Sequence, residues 1–108
     1  MNMIEVKEML ESIPGFSEKV AYRAFPDNEA PELPYLTYEE NNTNNLFADN
    51  KAYVERSSYT ISLVEAYRDR AVEQQIEEKL NEHNIAWNRY PEWIEEEKIY
   101  QIDYETEV

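Results

Sequence analysis

Apolar residues recur along this chain at two spacings, one helical and one extended. Val6, Leu10 and Ile13 fall at i, i+4 and i+7, with Glu5, Lys7, Glu8 and Glu11 on the outer face, which predicts a helix over 3–13. Pro14 stops it, because the residue before a proline is pushed out of the α region. Ile13-Pro14-Gly15-Phe16 then fits a type II turn. Gly15 is the only glycine, so the sequence predicts little use of left-handed corners elsewhere.

A strand is predicted from Lys19 to Phe25, with Val20, Tyr22 and Ala24 on one face. Pro26, Pro31 and Pro34 make the next stretch a loop, and Tyr35 to Glu40 a second strand. Residues 41–50, NNTNNLFADN, hold four Asn in five positions and read as a long hairpin loop. Phe47 there either folds back onto the domain or is an apolar tip held out for a partner. Residues 51–67 form a long strand whose alternation places Tyr59, Ile61, Leu63 and Tyr67 on one face, interrupted by Glu65. Its polar first half, around Tyr53, Ser57 and Ser58, suggests a bulge or a projecting arm.

Asp69 is a suitable N-cap for a second helix over 70–82. Val72, Ile76 and Leu80 form its apolar stripe, Glu73, Glu77 and Glu78 are read as facing out, and Asn84 suits the left-handed residue after it. Ile85 to Tyr90 reads as a strand ended by Pro91. A last strand over 98–107 alternates Tyr100, Ile102, Tyr104 and Thr106 with Gln101, Asp103, Glu105 and Glu107. Helices with one apolar stripe each need one sheet face to cover. The expected fold is therefore a two-layer α+β domain in the order α-β-β-β-α-β-β. It has about five mostly antiparallel strands with two helices on one face. Residues 59–90 could form a right-handed crossover between parallel strands. At 108 residues this is one domain, burying roughly 65% of its unfolded surface.

Charge sharpens the picture. The net charge is −14, and residues 25–54 and 91–108 carry most of it, with thirteen acids against two bases. Phosphate backbones are bound by Lys and Arg, so direct nucleic-acid affinity is not expected. The absence of cysteine excludes disulfides and thiol chemistry. No apolar run reaches membrane-spanning length, and a soluble chain made in the cytoplasm is expected. His83, the only histidine, is read as a cap or an exposed residue, without nucleophile or metal partners. Glu95, Glu96 and Glu97 beside Trp93 read as a solvated acidic run. No phosphate-binding, dinucleotide or zinc-protease motif occurs, so neither an enzyme nor a cofactor is expected. Trp87 reads as core and Trp93 as an interface residue.

The segments PYLTY (34–38), FADNKAY (47–53), YTISLVEAYRD (59–69) and the whole of residues 77–108 carry a resemblance. The chain resembles phage and prophage tail terminator or tail-to-head joining proteins of siphoviruses infecting Gram-positive bacteria. That resemblance covers most of 34–108 and not the N-terminal region. It implies a structural virion protein of the tail, present in the host cytoplasm during assembly. Such a protein forms a ring, a hexamer when assembled and a monomer in isolation, between tail tube protein and head connector protein, with no membrane partner. The expected interface residues are Asn44, Asn45, Leu46, Phe47, Asp49, Tyr53 and Trp93. The expected acidic surface comprises Glu95, Glu96, Glu97, Asp103, Glu105 and Glu107. The alternative reading is an acidic DNA mimic that inhibits a host DNA-binding protein.

Overall fold

A computed structural model describes residues 1–26, 28–48 and 51–107; over 42–48 and 51–57 the description is of the backbone. Helix α1 (Met3–Glu11) opens with a capping box. The Asn2 side chain accepts from the Glu5 N–H at 2.9 Å, and the Glu5 carboxylate accepts from the Asn2 N–H at 3.0 Å. Beyond it the predicted turn forms, with the Phe16 N–H on the Ile13 carbonyl at 3.0 Å and Gly15 at φ 91°.

Strand β1 (Val20–Tyr22) is shorter than the sequence suggests. Arg23 adopts φ 66° and turns the chain away, so Ala24 and Phe25 leave the sheet. The sequence predicts little use of left-handed corners beyond Gly15 and Asn84, yet Glu18, Arg23, Asn28 and Lys98 also have positive φ. Each lies outside the helices and strands, where a turn requires it.

The largest correction concerns the Asn-rich segment. Over 41–48 it is not a loop: β2 (Tyr35–Ala48) runs through it and pairs antiparallel with β3 (Lys51–Glu65), while 49 and 50 lie outside the described residues. The ladder supplies partners that override the turn preference of asparagine. Its irregularity survives as two register shifts. Asn41 and Asn42 stand opposite Ser58 alone, and Tyr53 is an extra residue between the pairs Leu46↔Val54 and Phe47↔Ala52.

Helix α2 (Arg70–Glu82) starts where predicted, with the Asp69 carboxylate accepting from the Ala71 and Val72 amides at 3.0 and 3.4 Å. Asn84 adopts φ 57° after it, as its place in the sequence suggests. Strand β4 (Ala86–Ile94) does not stop at Pro91. It pairs only with β5 (Ile99–Glu107), so it is an edge strand, the place in a sheet where proline is tolerated.

The sheet order is β1-β2-β3-β5-β4, with only β1 and β2 parallel as neighbours. The passage β3-α2-β4 does join strands running the same way, but β5 is inserted between them, antiparallel to both. Both helices cover one face. Leu36, Tyr38, Tyr59, Ile61, Leu63, Ile102 and Tyr104 of that face meet Val6, Leu10, Ile76 and Leu80 of the helices. Tyr67, expected on this face, lies past the strand end and is 69% exposed. Trp87 is half-buried against the core, its ring 5.7 Å edge-on from Tyr104. The fold is thus the expected α+β two-layer domain. The ladder from β3 to β5 ends at Ser58↔Glu107. The β2–β3 hairpin continues beyond it as a two-stranded arm, and the molecule measures 50 × 28 × 22 Å.

Leu63 is fully buried at the centre of the sheet. Leu63→Ala is expected to lower unfolding stability by about 2–5 kcal/mol in denaturant titration, through lost burial and the cavity left behind.

Candidate functional site

Charge and burial coincide in one place, the junction of β3, α2, β4 and β5. Glu73 and Glu77, expected to face out, are instead fully and almost fully buried on α2. The reason is the arginines. Arg68 grips Glu73 with two bonds of 2.9 Å, and Arg70 reaches Glu73 at 2.6 Å and Glu77 at 3.2 Å. Arg89 of β4 reaches Glu77 at 2.7 Å, and the buried Tyr104 hydroxyl of β5 donates to Glu77 at 2.7 Å. A buried carboxylate is tolerable only when donors replace the water it loses. Burial pushes both carboxyls upward, yet these donors outweigh it and hold Glu73 and Glu77 below the ordinary range. Burial and the Glu77 carboxylate keep the Tyr104 hydroxyl well above its ordinary range.

Glu65 lies beside this network and is treated differently by it. By strand parity it follows Ile61 and Leu63 onto the core face, and it is 2% exposed. No charged donor reaches its carboxyl oxygens, which are buried away from solvent beside the Glu73 carboxyl. Burial, then the neighbouring Glu73 carboxylate, push its titration up to about 8. Around it, four carboxyls (Glu65, Asp69, Glu73 and Glu77) face three guanidiniums (Arg68, Arg70 and Arg89). The cluster is therefore one positive charge short whenever Glu65 is ionised.

The opposite sheet face is polar. Register places Glu39, Thr60, Glu105 and Asn88 in one row across the strands, and Thr37, Ser62, Asp103 and Tyr90 in the next. Ser62 donates to Asp103 at 2.7 Å and Thr60 to Glu105 at 3.3 Å. Beside them an open depression of about 440 Å³ is walled by Phe25 and Tyr35, whose rings meet edge-on at 5.1 Å. Arg23 lines it, a single base against Glu39 and Asp103.

The expected site residues are divided between the two ends of the domain. Asn44, Asn45, Leu46 and Phe47 lie on the arm, with Tyr53 at its second bulge, while Asp49 falls outside the described residues. Trp93 lies at the far end of β4, 42% exposed, 4.9 Å from Tyr100, its Nε1 donating to Glu95 at 2.5 Å. Glu95, Glu96 and Glu97 form the exposed β4–β5 turn, and Lys98 pairs with Glu95. Asp103 and Glu105 share the polar sheet face, and Glu107 ends β5 beside the base of the arm. His83 caps α2 and is exposed. Among the described residues no group of three or more His, Asp or Glu is placed to hold a metal ion.

The buried acids escaped the sequence reading, though signals existed. Glu65 stands on the core parity of its strand, and Glu73 and Glu77 border the Val72-Ile76-Leu80 stripe with arginines at 68 and 70. No protein-family model matches the chain. No curated protein matches it either.

Raised titration of a buried carboxyl has a definite sign. Between about 4.5, its unfolded value, and about 8 the native state holds a proton that the unfolded state has lost. Glu65 therefore removes stability as pH rises through that window, and its contribution levels off above it. Glu65→Gln is expected to match the wild type near pH 4.5 and exceed it by a few kcal/mol at pH 8 in urea titrations. Parallel stability curves would contradict this reading of Glu65.

Proposed function

We propose that this chain is a structural phage or prophage virion protein of the tail-to-head region. Copies of it assemble into a ring that ends the tail tube and meets the head connector. The observation that carries this reading is the arm. Beyond Ser58↔Glu107 two strands leave the body with no third strand beside them among the described residues, and their last pairs, Phe47↔Ala52 and Ala48↔Lys51, belong to FADNKAY, one of the segments of the resemblance. A projecting two-stranded ribbon offers unpaired backbone along both sides, a means of gripping a neighbouring subunit by strand addition. Strand β4 supplies an open edge on the body itself.

Charge agrees with the role. Glu39, Asp103 and Glu105 give the uncovered sheet face a negative field, which keeps DNA phosphates sliding past rather than bound. The same face favours one other reading. Acids gathered on one face of the single subunit are what a DNA mimic presents to a host DNA-binding protein.

A body with the arm removed tests the proposal. Replacing residues 43–57 by a two-residue Asn-Gly turn is expected to leave a folded domain by circular dichroism. In infected cells that variant should fail to enter virions, leaving tails of abnormal length or heads without tails. Normal virions with the armless variant would refute the assembly role. Capture of a host nuclease or polymerase by the armless variant, with no tail protein bound by the full chain, would establish the mimic instead.

A further inference from the structure

We propose that the depression on the polar sheet face binds an uncharged saccharide, a pyranose ring with its hydroxyls on the strands and its C–H face against Phe25 and Tyr35. The cavity of about 440 Å³ falls in the range of about 300–1,000 Å³ usual for small-molecule sites. Its floor crosses β2, β3 and β5, and one wall is the segment from Arg23 to Phe25 that leaves β1. Arg23 makes that corner at φ 66°, a conformation that a β-carbon disfavours, and the corner carries the Phe25 ring to the cavity.

Four observations fix the chemistry. First, the floor is a field of hydroxyls. Register sets Thr37 and Ser62 in one row with Asp103, and Thr60 in the next with Glu39. A sugar hydroxyl both donates and accepts, and so does each of these. Second, Asp103 is held in place with an oxygen to spare. Ser62 at 2.7 Å and Gln101 at 3.0 Å both donate to its Oδ1. Among the described residues no donor takes Oδ2, and Asp103 is only half-buried, so that oxygen is open to solvent. A carboxylate oriented in advance accepts a ligand hydroxyl without reorganising. Third, charges of both signs line the cavity. Arg23 is exposed and makes no ion pair among the described residues, and it shares the cavity with Glu39 and Asp103. The guanidinium opposes a cation and the two carboxylates oppose an anion, whereas a neutral ring uses all three as hydrogen-bond partners.

Fourth, the cavity has an apolar end. Phe25 and Tyr35, both half-buried, meet at 5.1 Å with their planes 78° apart, beside the buried Val64. In an edge-on pair the ring that offers its edge keeps its own faces free of the other. Such a face is electron-rich and attracts the C–H bonds of a sugar ring. The combination of an aromatic wall and a polar floor matches the two sides of a pyranose. The proposal goes beyond the assembly role and does not depend on it.

The test uses the full chain, with the methyl glycosides of glucose, galactose, mannose and N-acetylglucosamine as probes. Glycerol and methylguanidinium chloride are the controls. Backbone amide shifts are followed by NMR at pH 7. At least one glycoside is expected to bind saturably, with a Kd on the order of 1 mM and shifts centred on Thr37, Ser62 and Asp103. Glycerol has hydroxyls but no ring face, and methylguanidinium is a cation, so neither should saturate there. Asp103→Asn keeps an acceptor for Ser62 and Gln101 but turns the spare oxygen into a donor, and should weaken binding by roughly tenfold. Arg23→Gly suits the left-handed corner, so the fold is expected to stand while binding weakens comparably. Binding of no glycoside at this face, saturation by methylguanidinium or glycerol in its place, or unchanged affinity in either variant would overturn the proposal.

Discussion

The Glu77 carboxylate is the point at which the separate parts of this domain are tied together. It accepts from Tyr104 on β5, Arg89 on β4 and Arg70 at the start of its own helix. A charge removed from water costs several kcal/mol unless it is met from several sides, and here it is. The helix cannot rotate without breaking a bond to one strand, and β4 cannot slide along β5 without dragging Arg89 away. The inserted order β3-β5-β4 beneath one crossover helix is thereby fixed by polar geometry as well as by apolar burial. Ile76 and Leu80 bury the same helix on the core but leave its rotation less defined, since apolar contact has no direction.

The network has a consequence at its margin. Three arginines satisfy Glu73 and Glu77, and Glu65, drawn onto the core face by strand parity, is left without a cation. This end of the molecule is therefore defined by a shortage of positive charge inside an otherwise acidic chain. The other end is defined by exposed backbone, where β2 and β3 outrun the sheet as an arm. The proposed assembly role rests on this ribbon reaching beyond the body. The acidic sheet face between the two ends discourages phosphate from binding.

Much of the fold was legible because each helix carries one stripe and the inner strands alternate. Asp69, Asn84 and Pro14 marked boundaries by chemistry that does not depend on tertiary context. Where that context decides, reading failed. Asn41 to Asn45 have turn preferences, yet a partner strand absorbed them into a ladder with a bulge. Pro91 reads as a stop, but it stands on an edge strand, which has a partner on one side only and is where a sheet tolerates proline. Glu73 and Glu77 read as a solvated face because only Arg70 shares their helix; Arg68 comes from the loop before it, and Arg89 lies on a strand twelve residues beyond Glu77. The interface candidates on the arm and at Trp93 were named from local pattern, which carried no information that they lie at opposite ends.

A double-mutant cycle between Glu77 and Tyr104 tests this account most directly. Glu77→Gln, Tyr104→Phe and the double variant are compared with the wild type by urea unfolding at pH 7. If the Glu77 carboxylate ties the helix to the sheet, the two substitutions couple by about 1 kcal/mol or more, because either one alone breaks the shared bond. Costs that add to within about 0.3–0.5 kcal/mol would contradict it, and would return the placement of α2 to apolar packing alone.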